Sequence, residues 1–591
     1  MKRLSTILPL LVMGVSCTTR QADTSASQQS AAAKAIPAVY HSGDILTMAG
    51  DTAQYVEALA IADGKIVYAG SKAEAITRAG RGATLIDLQG KTLLPGFIDA
   101  HGHLVNYGKN LTWAGLRGVT SVNDVITRMK AQISKTPADQ WIIGFGYNKN
   151  GMAEKRPPSA VELDQVSSDR PVLIMDASGH AGSINSVLMK LVGYTAKTPD
   201  PLGGIIVRKP GSKDPLGPVD ETALNQVLTL QPAATGELAD RVITGAADVW
   251  AQYGQTTAME CGFGRNPDDV AIVENAIAKR LLPIDLLLCA KESETEAVLS
   301  AATAVSKTYQ APDAALKGLL AARPDVNKAY INRVKLTGVK YWLDGDLNSF
   351  WLSEPYTNNP PGVKGKFRGY GQIPDSVVHA GFDRFWKTDF QMNMHVNGDA
   401  GAEQALVAIE RAIKQQGPSD HRPVFIHATY LRPDQITRLK AVGGIPSFLV
   451  ASIPAAGDVA IHFFGKERAE HFAAAKSMVD AGIKFTLSHD APVSGPPAIL
   501  PLVWAAVNRT TASGVVVGAA ERITPYQGLL AVTNYAAYQV KEEKSKGSLE
   551  SGKLADLVIL DQNPLKVRPE TIKDITVLET IKEGVSVYKK P

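Results

Sequence analysis

Residues 93–104 read LLPGFIDAHGHL, an apolar run that ends in two histidines separated by one glycine. The apolar residues are typical of a buried β-strand, and His101 and His103 come where that strand ends. Side chains two apart along a strand point to the same face, so both imidazoles can reach one ion while Gly102 leaves the opposite side open. An isolated His-x-His is weak evidence for a metal site, because histidine has many other roles. The segment therefore needs support from the rest of the chain.

Three later apolar runs also end on a residue that can bind a metal. His395 ends FQMNMH, His427 ends RPVFIH, and Asp490 ends IKFTLSHD. Each of these residues, taken alone, is typical of a structural position. Together they are strand ends of a β/α array, in chain order, which is where a barrel places its active site. The pattern predicts one site assembled from distant parts of the chain.

Lys340 lies inside another apolar run, LTGVKYWLDG. A bare ammonium group is costly to bury there, so the lysine either takes part in the site, extends towards solvent, or pairs with Asp344 or Asp346. The interval from Lys340 to Asp490 has room for four β/α units of roughly 30 to 40 residues each. We therefore expect Lys340, His395, His427 and Asp490 to end strands four, five, six and eight.

The middle of the chain alternates apolar runs with stretches of helical periodicity, such as AEQALVAIERAIKQQ. This alternation predicts an α/β fold with parallel β/α units, as in a parallel sheet or a barrel. We expect a (β/α)8 TIM-like barrel over 96–545, since the candidate ligands come at successive strand ends. The interval from His101 to Lys340 exceeds three such units by roughly a hundred residues. We expect an inserted segment within it, at about 199–318.

Short strands with hairpin turns flank this middle region. VEALAIADGKIVYAG near the start and VLETIKEGVSVYKK near the end both alternate apolar and polar residues, with turn residues between the runs. We predict that 38–95 and 546–591 together build one small composite β-sandwich domain.

Composition excludes several classes of protein. With 591 residues, 45% of them hydrophobic and 20% charged, the chain is globular and long enough for a large and a smaller domain. A net charge of +4 without basic runs gives no case for nucleic-acid binding. Three cysteines without CxxC or Cys/His spacing leave histidine and carboxylate as the expected metal ligands.

The first 17 residues predict export. A positively charged start, a short apolar run at 7–15 and then Cys17 form the pattern of a signal peptide. The small residues before Cys17 resemble a bacterial lipoprotein cleavage box, although Gly14 stands where Leu is usual; a plain signal peptide is the alternative. Residues 18–37 are expected to be a disordered tether. We expect a periplasmic protein or an outer-membrane-tethered lipoprotein, which contacts the membrane only through a lipid on Cys17.

Six stretches of the chain resemble one known family. LLPGFIDAHGHL, GVKYWLDG, HVNGDA, RPVFIHA, HDAPV and KGSLESGKLADLVILDQNP are similar to amidohydrolase family 3, the YtcJ-like proteins of the amidohydrolase superfamily. The resemblance runs from about residue 39 to the C-terminus, and the stretches occur in the family's order. It implies a metal-dependent hydrolase barrel with a composite β domain.

The resemblance also implies a metal site whose residues can be matched one by one. The implied ligands are His101, His103, Lys340, His395, His427 and Asp490. In many members the lysine is N6-carboxylated, and its carbamate oxygen binds one or two divalent transition ions, for which zinc is our expectation. The strand-eight aspartate binds metal or activates water.

Two positions depart from the family's pattern. Many members have Glu before the strand-six histidine and Ser before the aspartate, where this chain has Ile426 and His489. A subgroup of the family also has a histidine near that aspartate, so the metal site is expected to be retained. After PSFLV that subgroup often has aromatic and His residues, whereas this chain reads ASIPAAGD, a difference that bears on the substrate.

These residues predict hydrolysis by activated water. Histidine and carboxylate ligands suit Zn²⁺, which lowers the pKa of water to about 7 in favourable sites. We expect Asp490 to take a proton from water and pass it to a leaving amine, with His395, His427 or His489 stabilising the oxyanion. The expected substrate is a small molecule with an amide or N-acyl C–N bond other than a peptide bond. A cyclic amide, carbamate or ester stays open, as does a surface lipoprotein that binds metal or a ligand without catalysis.

Candidate substrate-binding residues come from WIIGFGYNKN and MDASGHAGSINS, which resemble family segments near the pocket. They are Trp141, Tyr147, Asn148 and His180. The alternatives are that Trp141 is a core residue and that His180 is a helix-cap or loop residue. The oligomeric state stays open, a homo-oligomer included.

Overall fold

The structure is a computed structural model that describes residues 36–177, 179, 181–201, 204–266, 268–292, 330–360, 363–388 and 390–591. The predicted signal peptide, most of the tether and His180 lie outside the described residues. Within the described ranges, none of the helices combines the length and the apolar character needed to cross a bilayer.

The described strands and helices alternate along most of the chain. The strands are β1 (Ala38–Leu46), β2 (Tyr55–Ala62), β3 (Lys65–Gly70), β4 (Thr84–Asp87), β5 (Thr92–Pro95), β6 (Phe97–Ile98), β7 (Ala114–Gly115), β8 (Ile142–Tyr147), β9 (Val172–Asp176), β10 (Ala181–Ile184), β11 (Gly204–Arg208), β12 (Pro215–Glu221), β13 (Gln255–Phe263), β14 (Asp285–Lys291), β15 (Val334–Trp342), β16 (Gln391–Val396), β17 (Val424–His427), β18 (Ile445–Phe448), β19 (Thr486–Leu487), β20 (Leu557–Leu560), β21 (Val577–Lys582) and β22 (Val585–Lys589). The α-helices span Lys72–Ala79, Leu104–Leu111, Val122–Gln132, Ala160–Leu163, Ser186–Val192, Thr222–Leu228, Gly236–Gln252, Asp269–Lys279, Asp375–Phe385, Asp399–Gln416, Pro433–Ala441, Ser452–Phe464, Lys466–Ala469, Ala475–Ala481, Leu500–Asn508, Pro525–Ala531 and Asn534–Gln539.

The two ends of the chain form one composite sheet, as predicted. Its strands run in the order β22-β21-β20-β5-β1-β2-β3, with β4 beside β1. The junction is the antiparallel pair β5–β20, in which Thr92 faces Leu560 and Pro95 faces Leu557. Leu93 and Ile559 belong to one buried apolar cluster, so the two ends also share a core.

Eight parallel strands form the barrel, and they follow chain order: β6, β13, β14, β15, β16, β17, β18 and β19. Lys340 lies in β15, the fourth strand, and His395 lies in β16, the fifth. His427 is the last residue of β17, the sixth strand, and Asp490 follows β19, the eighth. The strand numbers predicted for these four residues are therefore confirmed.

Backbone hydrogen bonds join the first and last barrel strands just beyond their ends. The Asp490 N–H donates to the His101 carbonyl at 3.1 Å, and the His103 N–H donates to the Ala491 carbonyl at 3.0 Å. Barrel closure thus brings the histidine pair at the start of the barrel against the aspartate at its end.

A separate six-stranded sheet is inserted between the first and second barrel strands. Its order is β11-β12-β10-β9-β8-β7, and it lies within 114–221. The predicted position of the insertion, 199–318, is wrong, because that stretch contains β13 and β14, the second and third barrel strands. The insertion has its own buried strands followed by helices, so its periodicity is the same as that of the barrel.

The amino end of the barrel is closed by a buried ion network. Lys546 Nζ lies 2.7 Å from Asp285 Oδ2 and 2.6 Å from Glu542 Oε2. Lys582 Nζ lies 2.7 Å from the same Asp285 oxygen and 2.9 Å from Asp556 Oδ2. Asp285 opens β14, whereas both lysines come from the C-terminal part of the chain, so the network joins the barrel to the composite sheet.

Candidate metal centre

His101 and His103 lie just after β6, which spans only Phe97–Ile98. They therefore lie in a loop, whereas we expected them at the end of the strand itself. Their ring centroids are nevertheless 5.0 Å apart. Gly102 is sterically required between them, because a Cβ there would lie 2.6 Å from Asp99 Oδ2 and 2.8 Å from His489 Cε1. The His101 N–H donates to Asp99 Oδ1 at 3.0 Å, which fixes the loop.

Asp490 lies at the centre of the predicted ligands. Its Oδ1 is 3.2 Å from His101 Nε2 and 3.2 Å from His103 Nε2, and its Oδ2 is 4.0 Å from His427 Nε2. One ligand atom each from His101, His427 and Asp490 lies within 4.8 Å of the other two. This spacing would let a single ion contact all three side chains.

His427 and Asp490 have a backbone conformation that non-glycine residues rarely adopt. Their φ angles are 71° and 50° respectively. Such conformations cost free energy and cluster where the surrounding structure enforces a functional placement of the side chain. Strain at two of the three closest residues supports a functional role for the cluster.

His395 lies beside this group. Its ring centroid is 4.6 Å from that of His427, its Nδ1 is 3.0 Å from Asp344 Oδ1, and its Nε2 is 3.3 Å from Asn397 Nδ2. Because a carboxylate only accepts hydrogen bonds, Nδ1 carries the proton and Nε2 keeps a lone pair. That tautomer is the one a metal-binding histidine needs.

Lys340 is fully buried, and its Nζ is 3.4 Å from His101 Nε2. Burial lowers the pKa of the ammonium group, because the charged form loses its hydration. The side chain does not extend to solvent, and in the described residues it forms no ion pair with Asp344, which pairs with His395 instead. Lys340 thus lies within the predicted site.

Three buried polar atoms of the cluster have no hydrogen-bond partner among the described residues: His101 Nδ1, His427 Nδ1 and Asp490 Oδ1. Asp490 Oδ1 is the most telling of these atoms. Two imidazole nitrogens lie 3.2 Å from it, yet neither forms a hydrogen bond of normal geometry with it. Buried polar groups are nearly always paired. Imidazole nitrogens and a carboxylate are the ligands that zinc-type ions take, so these residues fit a divalent ion.

The charge states of the cluster also suit a cation. Burial alone would raise the pKa of Asp490, but His101 and His103 hold it well below its usual range. Burial and the neighbouring His395 hold the pKa of His427 well below its usual value, so that ring is neutral. Burial opposes protonation of His103, yet Asp490 and Glu260 raise its pKa to about 9. His103 must therefore release a proton to bind an ion at neutral pH.

Two carboxylates that were not predicted as site residues, Glu260 and Asp344, hold the histidines in place. Glu260 Oε1 lies 3.4 Å from His103 Nδ1, while Oε2 accepts the Val105 N–H at 2.7 Å. Asp344 accepts the backbone N–H of Asn397 at 2.9 Å in addition to facing His395. The sequence does contain a signal for Glu260, because it lies in the apolar run that forms β13, and a charge buried in such a strand needs a partner.

His489 was a predicted catalytic residue, and its ring nitrogens are both engaged away from the cluster. Nδ1 accepts the Ala491 N–H at 3.0 Å, and Nε2 lies 3.3 Å from Asp99 Oδ1. Asp99 in turn accepts the indole N–H of Trp250 at 2.9 Å. These contacts make His489 a support for the loop of His101 and His103.

The predicted substrate-binding residues lie in the inserted sheet. Trp141 packs in an apolar cluster with Ile143 and Leu173, and Tyr147 is buried in a second cluster. Asn148 is exposed and its side chain caps a short 3-10 turn. Among the described residues, these three form no hydrogen bond or ion pair with the histidine cluster. Their role in substrate binding stays a prediction, as does that of His180, which lies outside the described residues.

Comparison with known proteins identifies the family of this chain. The model of the amidohydrolase family matches residues 84–588. The chain is 27% identical to an N-substituted formamide deformylase of Arthrobacter pascens, over 90% of this chain and 95% of that protein. It is 26% identical to the putative amidohydrolase YtcJ of Bacillus subtilis (strain 168), over 94% and 99% of the two chains. An uncharacterized metal-dependent hydrolase from Pyrococcus furiosus has the same fold, with a TM-score of 0.72, 24% identity and coverage of 90% and 100%.

The family match takes in the described barrel from its first strand to its last, together with most strands of the composite sheet. It also includes each of the six predicted ligands. This chain therefore belongs to the amidohydrolase family and is a hydrolase.

Proposed function

We propose that the protein hydrolyses an amide or N-acyl C–N bond, other than a peptide bond, in a small molecule. One observation carries the proposal: Asp490 is a buried carboxylate among His101, His103 and His427, and one of its oxygens has no hydrogen-bond partner in the described part of the chain. The carboxyl ends of barrel strands are where such folds perform catalysis. Similarity to a formamide deformylase over most of the chain supports an acyl–nitrogen substrate.

The proposed ligands of the ion are those that the family resemblance implies, Lys340 and His395 included. When bound, one or two zinc-type ions lower the pKa of water by several units and polarise a carbonyl oxygen. Asp490 is ionised at neutral pH, so it accepts the proton of the attacking water. It then donates that proton to the leaving nitrogen, which departs as a neutral amine.

We propose that His427 stabilises the oxyanion, because both ring nitrogens of His395 are committed, Nδ1 to Asp344 and Nε2 to the ion. His489 is the less suitable candidate, because Asp99 and the Ala491 N–H already engage its two ring nitrogens. Trp250 and Gly102 enclose the same ring. In this proposal His489 acts through the position of His101 and His103.

We also propose that Lys340 is carboxylated on Nζ. Its lowered pKa favours the neutral amine, whose lone pair can bond to the carbon of CO₂ with loss of one proton to solvent. The resulting carbamate offers an anionic oxygen beside His101. Intact-protein mass spectrometry without acid should detect the added CO₂ on the metal-loaded protein, and an unmodified mass would contradict this part.

An assay with a pH indicator tests the reaction class. Purified protein is incubated with N-formyl and N-acetyl amines, a cyclic amide, a carbamate and an ester, with and without a chelator. We expect metal-dependent hydrolysis of the linear amides. If the protein hydrolyses the cyclic amide, the carbamate or the ester faster than the linear amides, that compound class would replace the linear amide as the proposed substrate.

Metal content tests the remaining alternative, a surface lipoprotein that binds metal or a ligand without catalysis. We expect one or two divalent transition ions per chain by elemental analysis after metal-supplemented expression. Metal bound at that stoichiometry, together with no hydrolysis across the panel, would favour the non-catalytic protein. Metal at trace levels would contradict the proposed site itself.

We further propose export with a lipid on Cys17, on the basis of the N-terminal sequence alone. Mass spectrometry of protein from the native cell should show a chain that begins at Cys17 with added lipid mass. A chain that begins at Met1 would contradict export, and an unlipidated start elsewhere would contradict only the anchor.

A further inference from the structure

The side-chain amide of Asn397 is held by contacts on both of its ends. Asn397 is 6% exposed and lies two residues after His395 at the carboxyl end of β16. Its Oδ1 accepts a hydrogen bond from Thr429 Oγ1 at 2.6 Å, and its Nδ2 donates to the Gly345 carbonyl at 2.9 Å. A carbonyl oxygen can only accept, so the Gly345 contact fixes which end of the amide carries the hydrogens.

The second hydrogen of this amide points at the site. Asn397 Nδ2 lies 3.3 Å from His395 Nε2. The opposite nitrogen of that ring, Nδ1, faces the Asp344 carboxylate at 3.0 Å and therefore carries the proton. Nε2 accordingly offers a lone pair, which accepts the Asn397 hydrogen.

That lone pair is also the one with which His395 would bind an ion. The amide hydrogen and the ion cannot share it, so binding of metal by His395 leaves one Asn397 N–H without an acceptor. Gly345, Thr429 and the rest of the Asn397 surroundings stay as they are, because their contacts use the other atoms of the amide. A buried donor left unpaired is unfavourable, and it gains free energy from any acceptor that enters the site.

We propose that Asn397 is a substrate-binding residue whose freed Nδ2–H donates to the carbonyl oxygen of the acyl group that is cleaved. The inference rests on the proposed function, because it needs an ion on His395 and a carbonyl substrate. It adds a requirement to that function: the substrate must present an oxygen acceptor to the β16 side of the site as well as to the ion.

The opposite interpretation is that Asn397 merely braces His395 for the ion. The two differ in what removal of the amide does to metal affinity. Loss of a group that positions a ligand typically weakens metal binding by about 10- to 100-fold. Loss of a group that competes for the ligand's lone pair leaves metal binding equally tight or tighter.

The experiment uses Asn397→Ala together with a matched control, Asn508→Ala. Asn508 is a buried asparagine whose Nδ2 also donates two hydrogen bonds, to the Trp504 and Pro569 carbonyls, but it lies at the end of the helix Leu500–Asn508. Zn²⁺ affinity is measured on metal-free protein by competition with a chelating indicator. Then kcat/KM is measured on Zn²⁺-loaded protein with the best N-acyl substrate of the panel.

We expect Asn397→Ala to bind Zn²⁺ at least as tightly as the wild type and to lose about a hundredfold in kcat/KM, the usual effect of removing one donor to a reacting oxygen. Asn508→Ala should change neither quantity. If Asn397→Ala does not fold, Asn397→Asp keeps the shape and the acceptor for Thr429 but has no N–H, and the same kinetic loss is expected.

Two results would overturn the inference: Zn²⁺ affinity weakened tenfold or more by Asn397→Ala, or an unchanged kcat/KM in a folded variant. A wild-type protein that binds Zn²⁺ but hydrolyses no member of the panel would instead refute the proposed function, and the inference with it. The two failures are therefore distinguishable from the same set of measurements.

Discussion

The two ends of this barrel are both buried and both charged, but among the described residues only the carboxyl end leaves a buried carboxylate oxygen without a hydrogen bond. At the amino end, Asp285 contacts Lys546 and Lys582 at 2.7 Å each, and the other members of the network are similarly close. At the carboxyl end, Asp490 Oδ1 has imidazole nitrogens at 3.2 Å but no hydrogen bond of normal geometry with any described residue. Neighbouring strands contribute to the two ends, since β14 begins at Asp285 and β15 carries Lys340 near its carboxyl end.

This contrast separates stability from function. A closed set of opposite charges holds two parts of the chain together and leaves nothing for a ligand. An incomplete set, held by strained backbone at His427 and Asp490, costs free energy until a cation completes it. Substitutions at the amino end should therefore lower the stability of the protein, whereas substitutions at the carboxyl end should lower its turnover.

The largest expected effect is on turnover, from Asp490→Asn. This change keeps the shape of the side chain but removes the charge that accepts the proton, so kcat should fall about 10²- to 10⁴-fold. The melting temperature should change little with metal in excess. Steady-state kinetics and thermal unfolding measure the two quantities. A variant that retains more than a tenth of the wild-type kcat would show that Asp490 is not the proton acceptor.

The next effect is on stability, from Asp285→Asn. The change leaves two buried lysines without a shared counter-charge, and breaking a buried ion pair typically costs about 3–5 kcal/mol. Urea unfolding should show this loss, while the kcat of the folded fraction stays near that of the wild type. Asp480→Asn is the control, because Asp480 pairs with Lys476 on the surface, where a pair contributes at most about 1 kcal/mol. Lost turnover in folded Asp285→Asn would contradict the separation of the two ends.

A smaller effect is expected on metal affinity, from Glu260→Gln. The carboxylate faces His103 Nδ1, and its loss weakens the orientation and basicity of that ring. Metal affinity should fall about 10- to 100-fold, as it typically does when such partners are removed. Competition with a chelating indicator measures it. Unchanged affinity would mean that His103 binds no ion.

The smallest effect is a pH dependence at the amino side of β17, whose other end is His427. His421 is buried and stacks on Trp386 at 4.8 Å between ring centroids, and burial lowers its pKa to about 3 from the usual 6.5. Between these two pKa values His421 is protonated in the unfolded chain but neutral in the folded protein. The free energy of unfolding therefore falls as the pH drops below 6.5. The slope contributed by His421 approaches about 1.4 kcal/mol per pH unit.

His421→Phe isolates this contribution, because the other buried histidines stay in place. Urea unfolding at pH 7 and pH 5.5 should show that the wild type loses about 1.4 kcal/mol more than the variant on acidification. Equal losses in both proteins would mean that His421 takes up its proton in the folded state as well.

Most of the candidate site could be predicted from the sequence, because each ligand lies beside an apolar strand and strand ends of a barrel converge. His395, His427 and Asp490 needed only the order and spacing of those strands. The carboxylates behind them did not follow, since Glu260 meets His103 across 157 positions of chain. Such a contact depends on which strands become neighbours, which the linear pattern of either residue does not contain.

The inserted sheet could not be placed for a related reason. β9 reads VLIMD, an apolar strand followed by polar residues, and it is buried like a barrel strand. Periodicity reports burial and not the sheet to which a strand belongs. Trp141 and Tyr147 were predicted from a segment that resembles family sequences near the pocket, and both pack in apolar clusters of the inserted sheet. Their role in substrate binding stays a prediction.

The β5–β20 pair also determines when the composite sheet can be completed during synthesis of the chain. Thr92–Pro95 is synthesised long before its partner Leu557–Leu560. At 5 to 20 residues per second, roughly 25 to 90 s separate the two. During that interval Leu93 and Leu94, which are fully covered in the finished protein, lack the strand that covers them. The chain therefore passes through a long-lived state with an open sheet edge, which a chaperone could recognise and a truncated product would never leave.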